Sequence, residues 1–499
     1  MAEEKINGTE AKIGKDVIES LTLGMYEDSR FIYREYIQNA ADQVDKAIAV
    51  SLLEKGEEEI DVIINREERT IEIDDNATGI PQDKVVPILR NVAHSTKKRG
   101  VDKGFRGIGR LGGLGYCSKL TFITSYYGEG VRSVMTWDAE MLKLIINDRE
   151  NEAEAKDVLM QVTDFRTEKE DKDMHYFKVI LEDVTSDDLL DIDSVRDYLS
   201  MVAPVDIDSK FIYRNLIRQY MKEHGLTVDT YNIRINGEQI YKPYTSSIYE
   251  DNNGGKKKVD DILGVDFLLE KDDDGNVMYW GWYSISRLNG QMKSKNIARG
   301  IRLRKENIQI GDEEICKKFF DKTSDQRFSF YYFGEIHAVS KDLIPNSRRD
   351  YFGENKACTE FEHKIAVDFL KLKELCYQAQ SLRSNTKTIE KSEKLRETIQ
   401  KKEKSGYTSN EEREKLEIQF EEHQRKAAKA EQTLANIKKK MKDAQSPLLG
   451  FIDKFESEKV VEEIQTPARQ GRNTPPQQKT KFRTDSPIYS RYSKQEKNL

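Results

Sequence analysis

Residues 34–47 read "REYIQNAADQVDKA". Ile32, Tyr36, Ala40 and Val44 recur at every fourth position, the period of an amphipathic helix. Glu35, Asn39 and Asp42 follow at intervals of four and three, so all three project from one side of that helix, beside the apolar stripe. Such a helix either loses burial free energy to polar groups or holds a polar ligand against them. The neighbouring segments favour the second reading.

Downstream, "DVIINREERTIEIDDNATGIP" (61–81) sets two β-rich runs, Val62–Ile64 and Thr70–Ile73, about a polar turn, as in a hairpin. The second run ends at Asp74 and Asp75, before a turn containing Gly79. A helical stretch (82–92) leads into "HSTKKRGVDKGFRGIGRLGGLGYCSKLTFITSYY" (94–127), with seven glycines between residues 100 and 115 and a strand at Leu120–Ser125. So many glycines mean a backbone that bends sharply or lets a ligand come close. A nucleotide needs a partner for its base, backbone N–H groups for its phosphates and an oxygen ligand for its metal. Asp75 can accept from the exocyclic amine of adenine. The run Gly104 to Gly115 can wrap phosphates and lead them to a helix start. Asn39 can offer its amide oxygen to magnesium, and Glu35, one turn earlier, can orient or deprotonate a water.

In this order, a helix with E-x-x-x-N-x-x-D, a strand with D-x-G-x-G, then a glycine-rich lid and a strand, the segments resemble the GHKL ATPase superfamily. That superfamily includes gyrase B, histidine kinases, MutL and the heat-shock protein 90 chaperones. "YEDSRFIYREYIQNAADQVDKA" (26–47) is most similar to the chaperone form. The resemblance implies Glu35 as catalytic base, Asn39 as the ligand of Mg2+, Asp75 as the adenine-reading carboxylate and Thr124 as the hydroxyl sharing a water with it. Asp42 and Gly79 join the ATP-binding set. Phosphate contacts fall among Gly107, Gly109, Gly112, Gly113 and Gly115, without distinction between them. Ala77 stands where the pattern has its first glycine; "GFRG" is similar to MutL, and "GIGRLGGLGY" to the chaperones. Further on, "KDLIPNSRRDYF" (341–352) resembles a chaperone middle-domain loop, D-L-x-x-N-x-S-R-E. By that resemblance Asn346 takes the asparagine, Asp350 the glutamate, and Arg349 is the catalytic arginine that reaches the γ-phosphate. Arg348, in the serine's place, is the alternative. Arg302, Arg304 and Lys305 are further candidates for phosphate sensing.

A chain of 499 residues exceeds one ordinary core. The expected layout is an ATP-binding domain at 1–200, a middle α/β domain at 201–355, a helical coiled-coil region at 356–446 and a disordered basic tail at 447–499. Residues 130–190 alternate like antiparallel strands. In the last helical region Ser409 and Glu412 form a capping-box signal, and Phe420, Ala427, Leu434 and Met441 lie seven apart. The fold class is therefore α+β: a GHKL (Bergerat) α/β sandwich, an α/β middle domain and a coiled-coil hairpin. With 37% hydrophobic and 34% charged residues, no eighteen-residue apolar run and no secretion signal at the start, a cytoplasmic protein with no membrane partner is expected. Cys117, Cys316, Cys358 and Cys376 include no CxxC pair, against a zinc site or disulfide framework. A net charge of −7 gives no general reason for nucleic-acid binding, although Thr466 to Leu499 holds eight Lys/Arg against two Asp/Glu. His94, beside the lid, reads as a capping residue.

The resemblance implies a slow ATPase that couples hydrolysis to closure, a homodimeric conformational clamp acting like a chaperone on a protein client. The alternative is a DNA-associated clamp of the MutL or MORC kind, in a bacterial defence or repair system. A histidine kinase is disfavoured, because no phosphoacceptor-histidine helix precedes the ATP domain.

Overall fold

The computed structural model describes residues 13–22, 28–92, 109–148, 150–252 and 255–452. His94, Gly107 and the basic tail from residue 453 lie outside these. The expected hairpin forms: β1 (Ile60–Asn65) and β2 (Thr70–Asp75) pair antiparallel, with Val62 opposite Ile73 and Ile64 opposite Ile71. Alternation sends Ile60, Val62, Ile64, Ile71 and Ile73 to one buried face. The sheet grows through β3 (Lys119–Ser125), β4 (Val131–Asp138), β5 (Thr163–Lys169) and β6 (Tyr176–Glu182). It ends with β7 (Ile233–Ile235) and β8 (Glu238–Gln239), in the order β5-β4-β3-β6-β2-β1-β7-β8. Only the β1–β7 pairing is parallel among these neighbours. The sheet thus draws strands from both sides of residue 200.

Helices α1 (Asp16–Thr22) and α2 (Phe31–Ala49), with α3 (Gln82–Leu89), cover the buried face. Residues 130–190 differ from the expected run of strands. Helices α4 (Ala139–Asn147) and α5 (Ala155–Gln161) separate β4 from β5. The Asp138 side chain accepts the Met141 N–H at 2.8 Å and starts α4, and buried Leu142, Ile145 and Ile146 repeat at helical spacing. Helix α6 (Ile192–Val202) then completes the layer, and α7 (Arg214–Glu223) lies beyond it.

After the β9–β10 ribbon (Ser247–Asn252, Gly255–Asp261) comes a second sheet. It comprises β11 (Gly264–Lys271), β12 (Val277–Ile285), β13 (Gly300–Lys305), β14 (Ile308–Ile310) and β15 (Phe333–Ala338), in the order β11-β12-β15-β13-β14. Its two faces differ in chemistry. Tyr279, Tyr283, Ile301, Leu303 and Ile336 share a core with Phe361, Ile365, Phe369 and Leu372 of α8 (Lys356–Ser405). Trp280, Trp282, Arg302, Arg304, Glu335 and His337 occupy the alternate positions. Helix α9 (Asn410–Asp443) starts at Ser409, whose hydroxyl accepts the Glu412 N–H at 3.1 Å. It runs back along α8: Lys402 pairs with Glu412 at one end, and Ser446 donates to Gln378 at 3.2 Å near the other. Ala427, Ala430 and Met441 are buried in this antiparallel pair. Among the described residues no helix is long and apolar enough to cross a membrane.

Candidate active site

Along α2, Asp42 is buried and Glu35 and Asn39 are half-buried, beside the buried stripe of Ile32, Tyr36, Ala40 and Val44. Asp75 closes β2. The ladder sets it opposite Phe177 on β6, and Phe177 opposite Thr124 on β3, so carboxylate and hydroxyl lie on one cross-strand row facing the helices. Asp75 is only 4% exposed, and its Oδ1 accepts the Ala77 N–H at 3.1 Å. Burial pushes its carboxyl up to about 8, against the pull of that N–H. The Thr124 hydroxyl accepts the Ile80 N–H at 2.8 Å and donates to the Tyr176 carbonyl at 3.0 Å, so it pins the turn after β2. Gly79 in that turn has φ +64°, and a Cβ there would overlap the Ser125 carbonyl oxygen. Ala77, at the motif's first glycine position, is buried without a positive φ, which is why an alanine fits. Thr78 donates to Gln43 at 3.1 Å and ties the turn to the C-terminal half of α2.

The glycine-rich segment sits at the other half of α2. Gly109–Gly115 forms a 3-10 turn, held by the Tyr36 hydroxyl, which donates to the Arg110 carbonyl at 3.0 Å. Gly109 lies so close to Glu35 that a Cβ would overlap Oε2; Gly112 and Gly113 approach the Phe31 ring and the Tyr36 hydroxyl in the same way. Gly115 ends the turn. From Glu35 to Gln43 α2 rises about 12 Å, comparable to the reach from a purine to a terminal phosphate.

The loop between Pro345 and Phe352, which pair as a bridge, meets the N-terminal half of α2. Arg349 has φ +54°, and its carbonyl accepts the Gly311 N–H at 2.7 Å. Its side chain is buried; desolvation lowers its pKa, while Glu35 is the strongest of the charges that raise it, ahead of Asp42. Arg348 is exposed. Its carbonyl accepts Arg34 Nη2 at 3.2 Å, and that same nitrogen lies 3.4 Å from Glu35 Oε1. Asn346 donates to the Asp350 carboxylate. The other basic candidates are engaged in structure. Arg302 donates to the Ile297 carbonyl at 2.6 Å, Arg304 pairs with Glu335 at 2.7 Å, and Lys305 donates to the Ser340 carbonyl at 2.8 Å.

Residues 29–169 match a family model described as "Histidine kinase-, DNA gyrase B-, and HSP90-like ATPase". This segment is a GHKL-type ATPase domain, of the heat-shock protein 90 kind. Two relatives are both named chaperone protein HtpG. The one from Shewanella frigidimarina is 25% identical over 159 residues, 28% of this chain and 25% of its own length. The one from Baumannia cicadellinicola is 24% identical over 276 residues, 51% of this chain and 41% of its own. The chain therefore spans less than half the length of these relatives. In the GHKL domain, residue-by-residue reading did not single out Arg34 or His175. A charged residue on a charged helix carries no mark of its later partner, and a lone histidine carries none either. His175 Nδ1 lies 2.9 Å from the Ala77 carbonyl, under the turn that follows Asp75.

Proposed function

We propose that this protein binds and hydrolyses ATP and couples hydrolysis to the docking of its second sheet on its GHKL domain. The observation that carries this reading is Arg349, delivered from the 345–352 loop and buried in the electrostatic reach of Glu35. In this reading Asp75 accepts from the adenine amine, and the fixed turn at Gly79 leaves room for the purine. The buried carboxyl group of Asp75, the half-buried amide of Asn39 and the glycine-walled Glu35 form a polar set that suits a magnesium nucleotide. Asn39, with Asp42 nearby on α2, would hold the magnesium, which neutralises phosphate charge when bound. Glu35 orients a water and takes its proton. Arg349 stabilises the charge that builds on the γ-phosphoryl oxygens. Gly109, Gly112, Gly113 and Gly115, with Gly107, supply backbone to the lid.

The physiological form is a homodimeric clamp on a protein client, like a chaperone. The basic stretch after Thr466 favours DNA as the second reading. ATP turnover and calorimetric binding separate the roles. Glu35→Ala should bind Mg·ATP normally and lose turnover by about 100-fold or more. Normal turnover in that variant removes the base assignment. A rise in turnover on adding duplex DNA at low salt would replace the client reading by the DNA one.

A further inference from the structure

A cavity of about 120 Å³ lies between the polar face of the second sheet and α7, with Ile217 and Met221 on its wall. Trp280, Trp282, Lys242 and His337 line it. Trp280 and Trp282 are each 1% exposed, and neither indole N–H has a hydrogen-bond partner among the described residues. The Trp280 ring stacks on His337 at 4.6 Å, a contact that leaves its N–H unused. Two buried donors beside one cavity call for an acceptor inside it.

The acids nearby are already engaged. Glu335 receives Lys242, Tyr244, Arg304 and His337 at 2.7–3.0 Å. Asp206 is bridged by Arg214 and Arg218 at the cavity's rim and also accepts the Ile207 N–H at 2.8 Å. Lys242 is 2% exposed, burial and the nearby Arg304 push its pKa down to about 7, and its Nζ meets Asn307 at 2.6 Å as well as Glu335. Around the cavity three arginines, Arg214, Arg218 and Arg304, stand against two acids, Asp206 and Glu335, and the two indole N–H groups remain without an acceptor among the described residues. We infer that this cavity is a binding site for a small oxyanion, of the inorganic phosphate class, accepted by the Trp280 and Trp282 N–H groups with Lys242 behind and Arg218 at the entrance. The site is separate from the Asp75 pocket and does not rest on the ATPase reading.

Two of the chain's three tryptophans line the cavity, so intrinsic fluorescence reports on it directly. Inorganic phosphate is titrated into the full-length protein at constant ionic strength, with 31P line broadening as a second readout. A saturable response is expected in wild type and unchanged in Asp75→Asn. Trp280→Phe, which keeps an aromatic ring against His337 and removes the N–H, should weaken binding about tenfold. Arg218→Ala, at a half-exposed rim position, should weaken it by a smaller factor. No saturable response, or one that Asp75→Asn abolishes, overturns the inference. Equal affinity in wild type and Trp280→Phe does so too, leaving water as the cavity's occupant.

Discussion

Asp75 is a carboxyl group placed where ionisation is costly. Its folded pKa is raised from 3.8 to about 8, so between those values the folded chain holds a proton that the unfolded chain has released. Stability therefore falls as pH rises through that window. Asparagine carries no such penalty. Asp75→Asn should raise the melting temperature of the nucleotide-free protein, with a larger gain at pH 8 than at pH 5, while abolishing the heat of Mg·ATP binding. A stabilisation that stays constant across that range would refute the burial argument. Thr124 makes the complementary case, since its hydroxyl satisfies two backbone groups. Thr124→Val should cost about 1–3 kcal/mol in urea unfolding, and Thr124→Ser should recover most of it. Full stability in the valine variant would mean that the turn after β2 is pinned by something else.

At the scale of elements, the decisive meeting is between α2 and the 345–352 loop. Gly311 anchors that loop: its N–H bonds the Arg349 carbonyl, and a Cβ on it would press on the Asp350 carbonyl at 2.8 Å. Gly311→Ala should shift Arg349 without touching the Asp75 pocket. Turnover should then fall about 10- to 100-fold at nearly unchanged ATP affinity, measured by steady-state kinetics and calorimetry. An equal loss of affinity would place Gly311 in the binding pocket instead. Much of this arrangement was legible in the sequence. Glu35, Asn39 and Asp42 sit on one helix at readable spacing, and Asp75 ends an alternating strand. The start of α9 at Ser409 was readable as well. Arg34, whose side chain reaches residue 348, was not, because its partner depends on how two lobes pack. The helices at 139–161 were missed for another reason: short amphipathic segments between strands have few residues in which to declare a period.

For the whole molecule, a buried charged knot ties the second sheet to the end of α6 and to the segment that leads into β7. Arg304 pairs with Glu335 on the second sheet and donates to the Met201 carbonyl at the end of α6 at 2.6 Å, while Asn307 donates to the Asp229 carbonyl at 2.7 Å. Glu335→Gln leaves Arg304 and Lys242 without their counter-charge and should destabilise the protein by about 3–5 kcal/mol, read from denaturant midpoints. A loss below about 1 kcal/mol, the value of an exposed surface pair, would mean that the knot is wet. The late arrival of β7 has a practical corollary. Lying along β1, it occupies a row of backbone groups that would otherwise be free to recruit another chain, and the outermost β8 is short and carries Glu238 against Arg196. A fragment cut at residue 200 would bare that row and should precipitate or self-associate on expression, whereas one carried past residue 245 should stay monodisperse in light scattering.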